Sequence, residues 1–313
     1  MALISMPHCD DRPPPADSAS PEQRRPRDDE LDLFGLTHQG KLRQDNQDHF
    51  LICTVHPQVV VHQTSLPRVD KLPLRGSRLA TILVVADGVG GGDFGSEAAQ
   101  IATETLTKYV SCTLRSYHAA GKSTEDELLD SLRTAIGEAH DAVLADGASR
   151  TPPTQMASTL TVGLVIWPWV YVVQVGDSRG YYWDGKELQR LTRDQTIAQD
   201  LVDKGVLPPE RMEISPYRNV LASAIGGGEA TPEVTCIEIQ RSGTLLFCSD
   251  GLTKHVTDEE IGEHMSRMTG SEQLARELLD LALERGGTDN VTIVVGRAPP
   301  EKTPPASRPA LEE

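Results

Sequence analysis

The order of apolar and polar positions divides the chain into short buried strands and amphipathic helices. Several runs carry β-branched and aliphatic side chains without a charged position, as is typical of strands that are covered on both faces. Asp184 and Gly185 follow the last of three closely spaced runs and predict a tight turn, so that these runs read as a meander. The six predicted strands are 80–86, 159–166, 170–175, 180–183, 244–248 and 291–295.

Apolar residues recur at helical spacing in other parts of the chain. Thr257 and Glu260 form a capping box, which predicts the start of one helix, and Gly286–Gly287 predicts the end of another. Runs of strands with two central helices and later helices favour an α+β fold over a doubly wound sheet. Helices are predicted from 96 to about 114, from 123 through the stripe that ends at 143, from 257, and over 271–285.

The two ends of the chain differ from its centre in composition. Residues 1–30 and 298–313 are rich in proline and charge and poor in large apolar side chains, which predicts disordered tails. Residues 31–297 contain no comparable linker and are therefore predicted to form one domain.

Charge and cysteine usage exclude several classes of protein. The chain has 46 acidic against 30 basic residues and a formal net charge of −16, which argues against binding to nucleic acid or to anionic lipid. Its five cysteines form no C-x-x-C pair, so reduced thiols in a cytoplasmic protein are expected rather than disulfides or a zinc site. The uncharged stretch 151–176 contains Pro168 at its centre and is read as two strands rather than a membrane helix.

Five acidic residues stand where predicted buried strands begin or end. A carboxylate in such a place is costly to remove from water unless it is paired or holds a metal ion. Oxygen ligands of this kind select Mg²⁺ or Mn²⁺. One such acid alone would be read as a turn residue that caps the next element, but five together favour a common site. They are Asp48, Asp87, Asp177, Asp250 and Asp289.

Seven short motifs around these acids follow one another in an order that resembles the metal-dependent Ser/Thr protein phosphatases, the type 2C or PPM family, in its bacterial branch. Each motif alone is weak, and the ordered set is specific. The resemblance implies a fold of two packed antiparallel sheets flanked by helices. The motifs are GKLRQDNQD (40–48), VADGVGG (85–91), ASTLT (157–161), GDSR (176–179), LTRD (191–194), CSDGL (248–252) and TDNVT (288–292).

The resemblance also implies a role for each acid. Asp87 would bridge two ions, one of which also contacts the Gly88 carbonyl, and Asp250 and Asp289 would hold the first ion. Asp48 would serve the second ion largely through water, and Asp177, with Asp250, a looser third ion. The catalytic residues would be Asp87 and Arg43, and Arg43 would bind the substrate phosphate. Asn290 and Gln47 would support the metal ligands.

Some positions depart from the family pattern. Gln47 stands where a Glu is usual, which would weaken the second metal site, and Val89 stands where many eukaryotic members carry a His. Gln195 and Ser223 replace a frequent His and a frequent Arg around the segment 194–228, where substrate choice is expected to be decided.

Three other features have alternative interpretations. The glycine-rich segment 88–95 is similar to a dinucleotide-binding loop, but no matching βαβ unit is evident. Ser178 stands in a hydrolase-like context without a suitable catalytic His, and is expected to make a turn hydrogen bond. Residues 54–79 carry Arg68, Lys71, Arg75 and Arg78 against Asp70, and are read as a solvated hairpin or as a docking surface for an acidic partner.

Two functions therefore remain open from the sequence. The first is hydrolysis of phosphoserine and phosphothreonine in proteins by a metal-activated bridging water, in signalling opposite a Ser/Thr kinase, with two or three Mn²⁺ or Mg²⁺ ions. The alternative is a catalytically weak or dead module of the same fold that binds phosphoproteins, and Gln47 is its only support. Neither function involves nucleic acid or a membrane.

Overall fold

The computed structural model describes residues 24–299, except 59–60, 62, 66–67, 69–75, 91–93, 121–123 and 213, and leaves the side chains of 117–120 undescribed. The strands in chain order are β1 (Asp32–His38), β2 (His49–Val55), β3 (Ala80–Ala86), β4 (Gly88–Val89), β5 (Ala157–Ser158), β6 (Leu160–Ile166), β7 (Trp169–Val175), β8 (Arg179–Trp183), β9 (Leu188–Arg190), β10 (Glu233–Glu238), β11 (Thr244–Cys248) and β12 (Val291–Arg297). The α-helices are α1 (Phe94–Ala120), α2 (Glu125–Ser149), α3 (Ile197–Asp203), α4 (Asp250–Thr253), α5 (Asp258–Ser266) and α6 (Ser271–Glu284).

Ten of these strands form two five-stranded antiparallel sheets. The first sheet has the order β1-β12-β11-β8-β9, and the second has the order β10-β7-β6-β3-β2. Apolar side chains such as Leu83, Val172 and Phe247 fill the space between the two sheets. Helices α1 and α2 cover the outer face of the second sheet, and α5 and α6 cover that of the first. This four-layer sandwich confirms the predicted α+β class of two packed antiparallel sheets flanked by helices.

The local signals for helix ends are also confirmed. Thr124 caps α2 and Thr257 caps α5, each with a reciprocal bond to a Glu three residues later. Helix α1 is longer than its predicted span of 96 to about 114. Its buried stripe reaches Val110 and Leu114, and the residues that follow carry good helix formers such as Ala119 and Ala120.

The predicted meander is wrong in one respect. Strands β6 and β7 pair as expected, but β8 pairs with β11 and β9 in the first sheet rather than with β7. Gly176, with φ of 109°, begins the short connection that crosses between the sheets. Asp177 therefore lies in a crossover between layers and not in a hairpin.

Contacts with the domain extend to residues before the predicted N-terminal boundary at residue 31. Two buried arginines hold the preceding segment against the domain. Arg78 donates to Asp28 Oδ1 at 2.6 Å and to the Pro26 carbonyl at 2.7 Å, and Arg241 pairs with Glu30 at 3.0 Å. Pro26, Asp28 and Glu30 thus pack against the domain, because the domain supplies buried cations that need these partners. The rest of the predicted tail, 1–23, and residues 300–313 lie outside the described residues.

The same contacts correct the interpretation of residues 54–79. Arg78 is only 7% exposed, so it belongs to the interior and not to a solvated basic surface. Lys71, Arg75 and Asp70, on which that interpretation also rested, lie outside the described residues. Within the part of the chain that the structure covers, no helix combines the length and the apolar character needed to cross a bilayer.

Candidate metal centre and active site

The pairing of the strands gathers the five acids at one end of the sandwich. His49 lies opposite Ala86, so Asp48, just before β2, and Asp87, just after β3, lie at the same edge of the second sheet. The pairing of β11 with β12 does the same for Asp250 and Asp289 in the first sheet. Asp177 joins them through the crossover between the sheets. The charges of the other four acids all act on Asp87.

Asp48 is held by hydroxyl groups from the opposite sheet. Its Oδ2 accepts hydrogen bonds from Ser249 Oγ and Thr292 Oγ1, both at 2.7 Å. The side chain is 2% exposed, and its Oδ1 is buried without a hydrogen-bond partner. A buried carboxylate oxygen that lacks a donor is costly, and a cation bound there would satisfy it.

Asp87 is fixed through its backbone. Its N–H donates to Thr159 Oγ1 at 3.0 Å, and its carbonyl accepts from the Thr159 N–H at 2.8 Å. Ser158 Oγ also donates to the Asp87 carbonyl, at 3.0 Å. The ASTLT motif therefore positions Asp87. Gly88 follows where the chains approach closely, because an added Cβ would lie 2.2 Å from the Gly95 carbonyl oxygen.

Two cationic side chains contact the acids of the first sheet: Lys254 contacts Asp250 and Asp289, and Arg43 contacts Asp289. Lys254 Nζ is 2.6 Å from Asp250 Oδ2 and 2.7 Å from Asp289 Oδ2. Arg43 contacts both oxygens of Asp289, with Nε 2.7 Å from Oδ1 and a terminal nitrogen 2.8 Å from Oδ2. Asp250 Oδ1 is buried and has no hydrogen-bond partner. Arg43, predicted to bind a phosphate, thus uses its planar fork on a carboxylate.

Asn290 ties together the loop that carries Arg43. Its Oδ1 accepts from the Gln47 N–H at 2.9 Å, and its Nδ2 donates to the carbonyls of Gln39 and Asp45, each at 2.9 Å. Gln47 contributes through its backbone, since its carbonyl also accepts from the Gly88 N–H at 3.3 Å. The Gln47 side chain packs against Gly95 at the start of α1. Both predicted supporting residues therefore lie beside the acids.

A second network, made of hydrogen bonds, holds the backbone next to Asp177. Gln195 Oε1 accepts from the Gly176 N–H at 2.8 Å, and Gln195 Nε2 donates to the Thr231 carbonyl at 3.0 Å. The departure from the family pattern at Gln195 therefore serves to hold the crossover. Ser223 Oγ accepts from the Thr231 N–H at 2.9 Å, so this second departure belongs to the same network.

The remaining motif residues are also structural. Arg179 makes a bidentate pair with Asp194, with nitrogen to oxygen distances of 2.7–3.2 Å, which joins the GDSR and LTRD motifs. Ser178 is fully buried and shares a 2.8 Å hydrogen bond with Thr159 Oγ1. The predicted turn hydrogen bond of Ser178 is therefore wrong, because its side chain points into the interior.

Burial and mutual repulsion raise the pKa of four of the five carboxyl groups. The pKa of Asp48 rises to about 6 and that of Asp177 to about 8, chiefly because burial penalises the ionised form. The pKa values of Asp87 and Asp250 are raised for the same reason. For Asp289, burial also acts upward, but hydrogen bonds from Arg43 and Lys254 outweigh it and lower the pKa.

These pKa values predict how stability depends on pH. A carboxyl group whose pKa is higher in the folded than in the unfolded protein stabilises the fold at low pH, and that stabilisation is lost as pH rises through the folded pKa. For Asp48 this loss is complete near pH 6, and for Asp177 it continues to about pH 8. A divalent ion that binds the ionised forms must displace these protons. We therefore expect the increase in Tm on adding Mn²⁺ to chelator-treated protein to grow from pH 5.5 to pH 8.5.

Thermal unfolding with and without Mn²⁺ across this pH range checks the prediction. The variant Asp177→Asn should lose the growth between about pH 6 and pH 8 and keep the growth below pH 6. A Tm increase that is the same at every pH would contradict the assignment of these carboxyl groups to an ion site.

The chemistry of the donor set fits a hard divalent ion. Two carboxylate oxygens, Asp48 Oδ1 and Asp250 Oδ1, are buried without hydrogen-bond donors. The raised pKa of Asp87 reflects negative charge that no neighbour fully offsets, which a hard cation would offset. In the described ranges, however, no three His, Cys, Asp or Glu side chains already enclose an ion position. The side chain of Lys254 lies between two of the acids, and an ion would have to rearrange that contact.

The sequence missed several residues that the structure brings to the site. Ser249 and Thr292 could have been suspected, since they stand beside Asp250 and Asp289 in the quoted motifs. Thr159 and Ser178 were quoted too, but their mutual bond depends on the crossover. For Lys254 the sequence offers one indication: it stands four residues after Asp250 at the start of a helix, a spacing that brings the two side chains together.

Comparison with known proteins agrees with this geometry. The family model described as protein phosphatase 2C matches residues 61–284. The chain is 35% identical over 216 residues to the serine/threonine protein phosphatase PstP of Mycobacterium tuberculosis, covering 69% of this chain and 40% of PstP. It is 30% identical over 215 residues to the serine/threonine phosphatase stp of Listeria monocytogenes, covering 68% of this chain and 83% of that protein.

A solved structure extends the similarity to the fold. The catalytic domain of PstP, solved in complex with two manganese ions, superimposes with a TM-score of 0.64 at 29% identity, covering 85% of this chain and 97% of that one. The chain spans less than half of the full length of PstP, so the similarity concerns the domain described above. The matched family model, the curated relatives and the shared sandwich lead to one conclusion: this chain belongs to the protein phosphatase 2C family, whose members are metal-dependent.

Proposed function

We propose that this protein hydrolyses phosphoserine and phosphothreonine in other proteins, with Mn²⁺ or Mg²⁺ as cofactor, and opposes a Ser/Thr kinase in the cytoplasm. The observation that carries the proposal is the convergence of five carboxylates with Arg43 at one end of the sandwich. The names of the similar proteins from Mycobacterium and Listeria, both serine/threonine phosphatases, support the substrate class. The manganese complex of PstP supports Mn²⁺ as one suitable ion.

In this proposal, all five acids serve the metal site. Asp87 would hold two ions, one of them together with the Gly88 carbonyl; Asp250 and Asp289 would hold the first ion and Asp48 the second. Asp177, with Asp250, would hold a third. The bound ions would lower the pKa of a water that attacks phosphorus and would offset the charge of the phosphoryl oxygens.

The residues of the chain supply orientation and charge. Arg43 is 55% exposed at the mouth of the site and presents two nitrogens to Asp289. The same fork matches two oxygens of a phosphate monoester. Ser249 and Thr292 orient Asp48, and Thr159 orients the backbone of Asp87. No covalent intermediate on a side chain is required by this arrangement.

Apolar side chains next to the site suit a polypeptide substrate. Leu42 precedes Arg43 and is 69% exposed, and Val89 follows Gly88 and is 44% exposed. Exposed apolar side chains beside a charged centre favour contact with the residues that flank a phosphorylated side chain. They support a protein substrate over a small phosphate ester.

The proposal is tested by phosphate release from a phosphothreonine peptide by the purified chain. We expect turnover with Mn²⁺, its loss with excess chelator and its return when Mn²⁺ is restored. A phosphotyrosine peptide of the same sequence serves as the matched substrate and should be hydrolysed more slowly. Turnover that is insensitive to chelator would contradict the metal-dependent mechanism. Metal binding without turnover across a panel of phosphopeptides would favour the non-catalytic phosphoprotein-binding module.

A further inference from the structure

The side chain of Lys254 bridges two of the acids that the proposed function assigns to the first ion. Its Nζ lies 2.6 Å from Asp250 Oδ2 and 2.7 Å from Asp289 Oδ2. It is 26% exposed, so most of this contact is shielded from water. Its charge also acts on Asp177. A single ammonium group thus contacts two of the five acids and acts electrostatically on a third.

The position of Lys254 follows from the local fold. Helix α4 is one turn long and starts at Asp250, and Lys254 is its C-cap residue, whose N–H donates to the Asp250 carbonyl at 2.8 Å. A spacing of four residues in a helical turn directs the Lys side chain toward Asp250. Asp289 lies beside the same turn, since a Cβ added to Gly251 would be 3.4 Å from Asp289 Cβ. The chain therefore holds an ammonium group at this place by short-range geometry.

Arg43 differs from Lys254 in what it can reach. Among the acids of the site, Arg43 contacts Asp289, and its side chain is 55% exposed. The Arg43 side chain can stay bound to one oxygen of Asp289 or turn toward a substrate phosphate. In neither position does it fill the space between Asp250 and Asp289. Lys254 joins the two carboxylates through one atom. A divalent ion and an ammonium group cannot share two oxygens of this pair, because like charges a few ångströms apart repel strongly where water is excluded.

We propose that Lys254 is a built-in cation of this site, which a divalent ion must displace in order to bind between Asp250 and Asp289. The inference rests on the metal site of the proposed function. In the absence of an ion, Lys254 offsets the repulsion between buried carboxylates and stabilises the fold. When an ion is present, the same charge opposes it, and the affinity for the first ion is lower than the carboxylates alone would give.

Calorimetric titration of chelator-treated protein with Mn²⁺ tests this proposal. Lys254→Met keeps the length and apolar stem of the side chain and removes its charge, and Lys186→Met, at an exposed turn position, is the matched control. We expect Lys254→Met to bind its tightest Mn²⁺ ion at least about tenfold more tightly than the wild type, and Lys186→Met to bind it equally. Equal or weaker binding by Lys254→Met would overturn the proposal.

Thermal unfolding of the same proteins gives a second reading. Without Mn²⁺, Lys254→Met should melt at a lower temperature than both wild type and Lys186→Met. Adding Mn²⁺ should raise the Tm of Lys254→Met by more than it raises theirs. A variant that melts at or above the wild-type temperature without Mn²⁺ would contradict the stabilising role. If no Mn²⁺ binds to any of the three proteins, the proposed metal site itself fails, which is a different result from equal affinities.

Chemical labelling of the wild-type protein covers the case in which Lys254→Met does not fold without metal. An amine-reactive reagent followed by mass spectrometry measures how fast each lysine is modified. We expect Mn²⁺ to accelerate the modification of Lys254, because displacement frees its ammonium group, and to leave the exposed Lys186 unchanged. A labelling rate of Lys254 that Mn²⁺ lowers or does not change would overturn the proposal.

Discussion

Asp87→Asn is expected to lower kcat for Mn²⁺-dependent phosphate release by at least about a thousandfold. The charge of Asp87 interacts with those of Asp48, Asp177, Asp250 and Asp289. An amide of nearly the same shape keeps the packing and removes the charge that would bridge two ions. The measurement is steady-state hydrolysis of a phosphothreonine peptide at saturating Mn²⁺.

The same variant should be more stable than wild type once chelator has removed divalent ions. The pKa of Asp87 is raised because burial and four neighbouring acids oppose its ionised form, so the neutral amide relieves a cost of folding. Its Tm should therefore rise without metal, and the increase in Tm on adding Mn²⁺ should shrink. Asp141→Asn, on the exposed face of α2, should change neither quantity. Full activity in Asp87→Asn would remove Asp87 from the mechanism.

Gly251→Ala is expected to destabilise the fold by about 3 kcal/mol or more and to abolish activity. An added Cβ would lie 1.9 Å from the Asn290 carbonyl oxygen and 2.8 Å from the Asn290 carbonyl carbon, so the backbone must move. That movement separates Asp250 from Asp289, whose carboxylates come from the two segments that meet here. Chemical denaturation and phosphopeptide hydrolysis measure the two effects.

Gly137→Ala is the matched control for this substitution. Gly137 lies within α2, and an added Cβ would have no heavy atom within 4 Å. Because alanine lowers the entropy of the unfolded chain and favours helix, we expect a gain in stability of about 0.5–1 kcal/mol with unchanged activity. If Gly251→Ala were as stable and as active as Gly137→Ala, the prediction that the site depends on the close approach between α4 and the segment before β12 would be wrong.

Much of the fold could be predicted from local patterns. The runs that became β3, β11 and β12 are mostly apolar because they are covered on both faces, and this signal does not depend on their partners. The capping boxes at Thr124 and Thr257 are equally local. The sheet to which β8 belongs could not be predicted in this way, since a crossover and a hairpin use similar turn residues.

The domain boundary shows a second limit. Residues 24–30 have the composition of a tail, but Asp28 and Glu30 pair with the buried Arg78 and Arg241. The arginines stand about 50 and 210 residues later in the chain. Composition cannot reveal that a charged segment has a buried partner of opposite charge, because burial is decided by the packing of distant elements.

The sequence by itself determined which carboxylates we assign to the proposed site. Asp48, Asp87, Asp177, Asp250 and Asp289 stand at strand ends, and antiparallel pairing brings the end of one strand beside the start of the next. The tertiary structure alone decided what surrounds those charges. The hydroxyls on Asp48, the crossover at Asp177 and the ammonium group of Lys254 between Asp250 and Asp289 come from several elements in two sheets. The electrostatics of the site depend on side-chain directions and burial, which a linear pattern of residues does not contain.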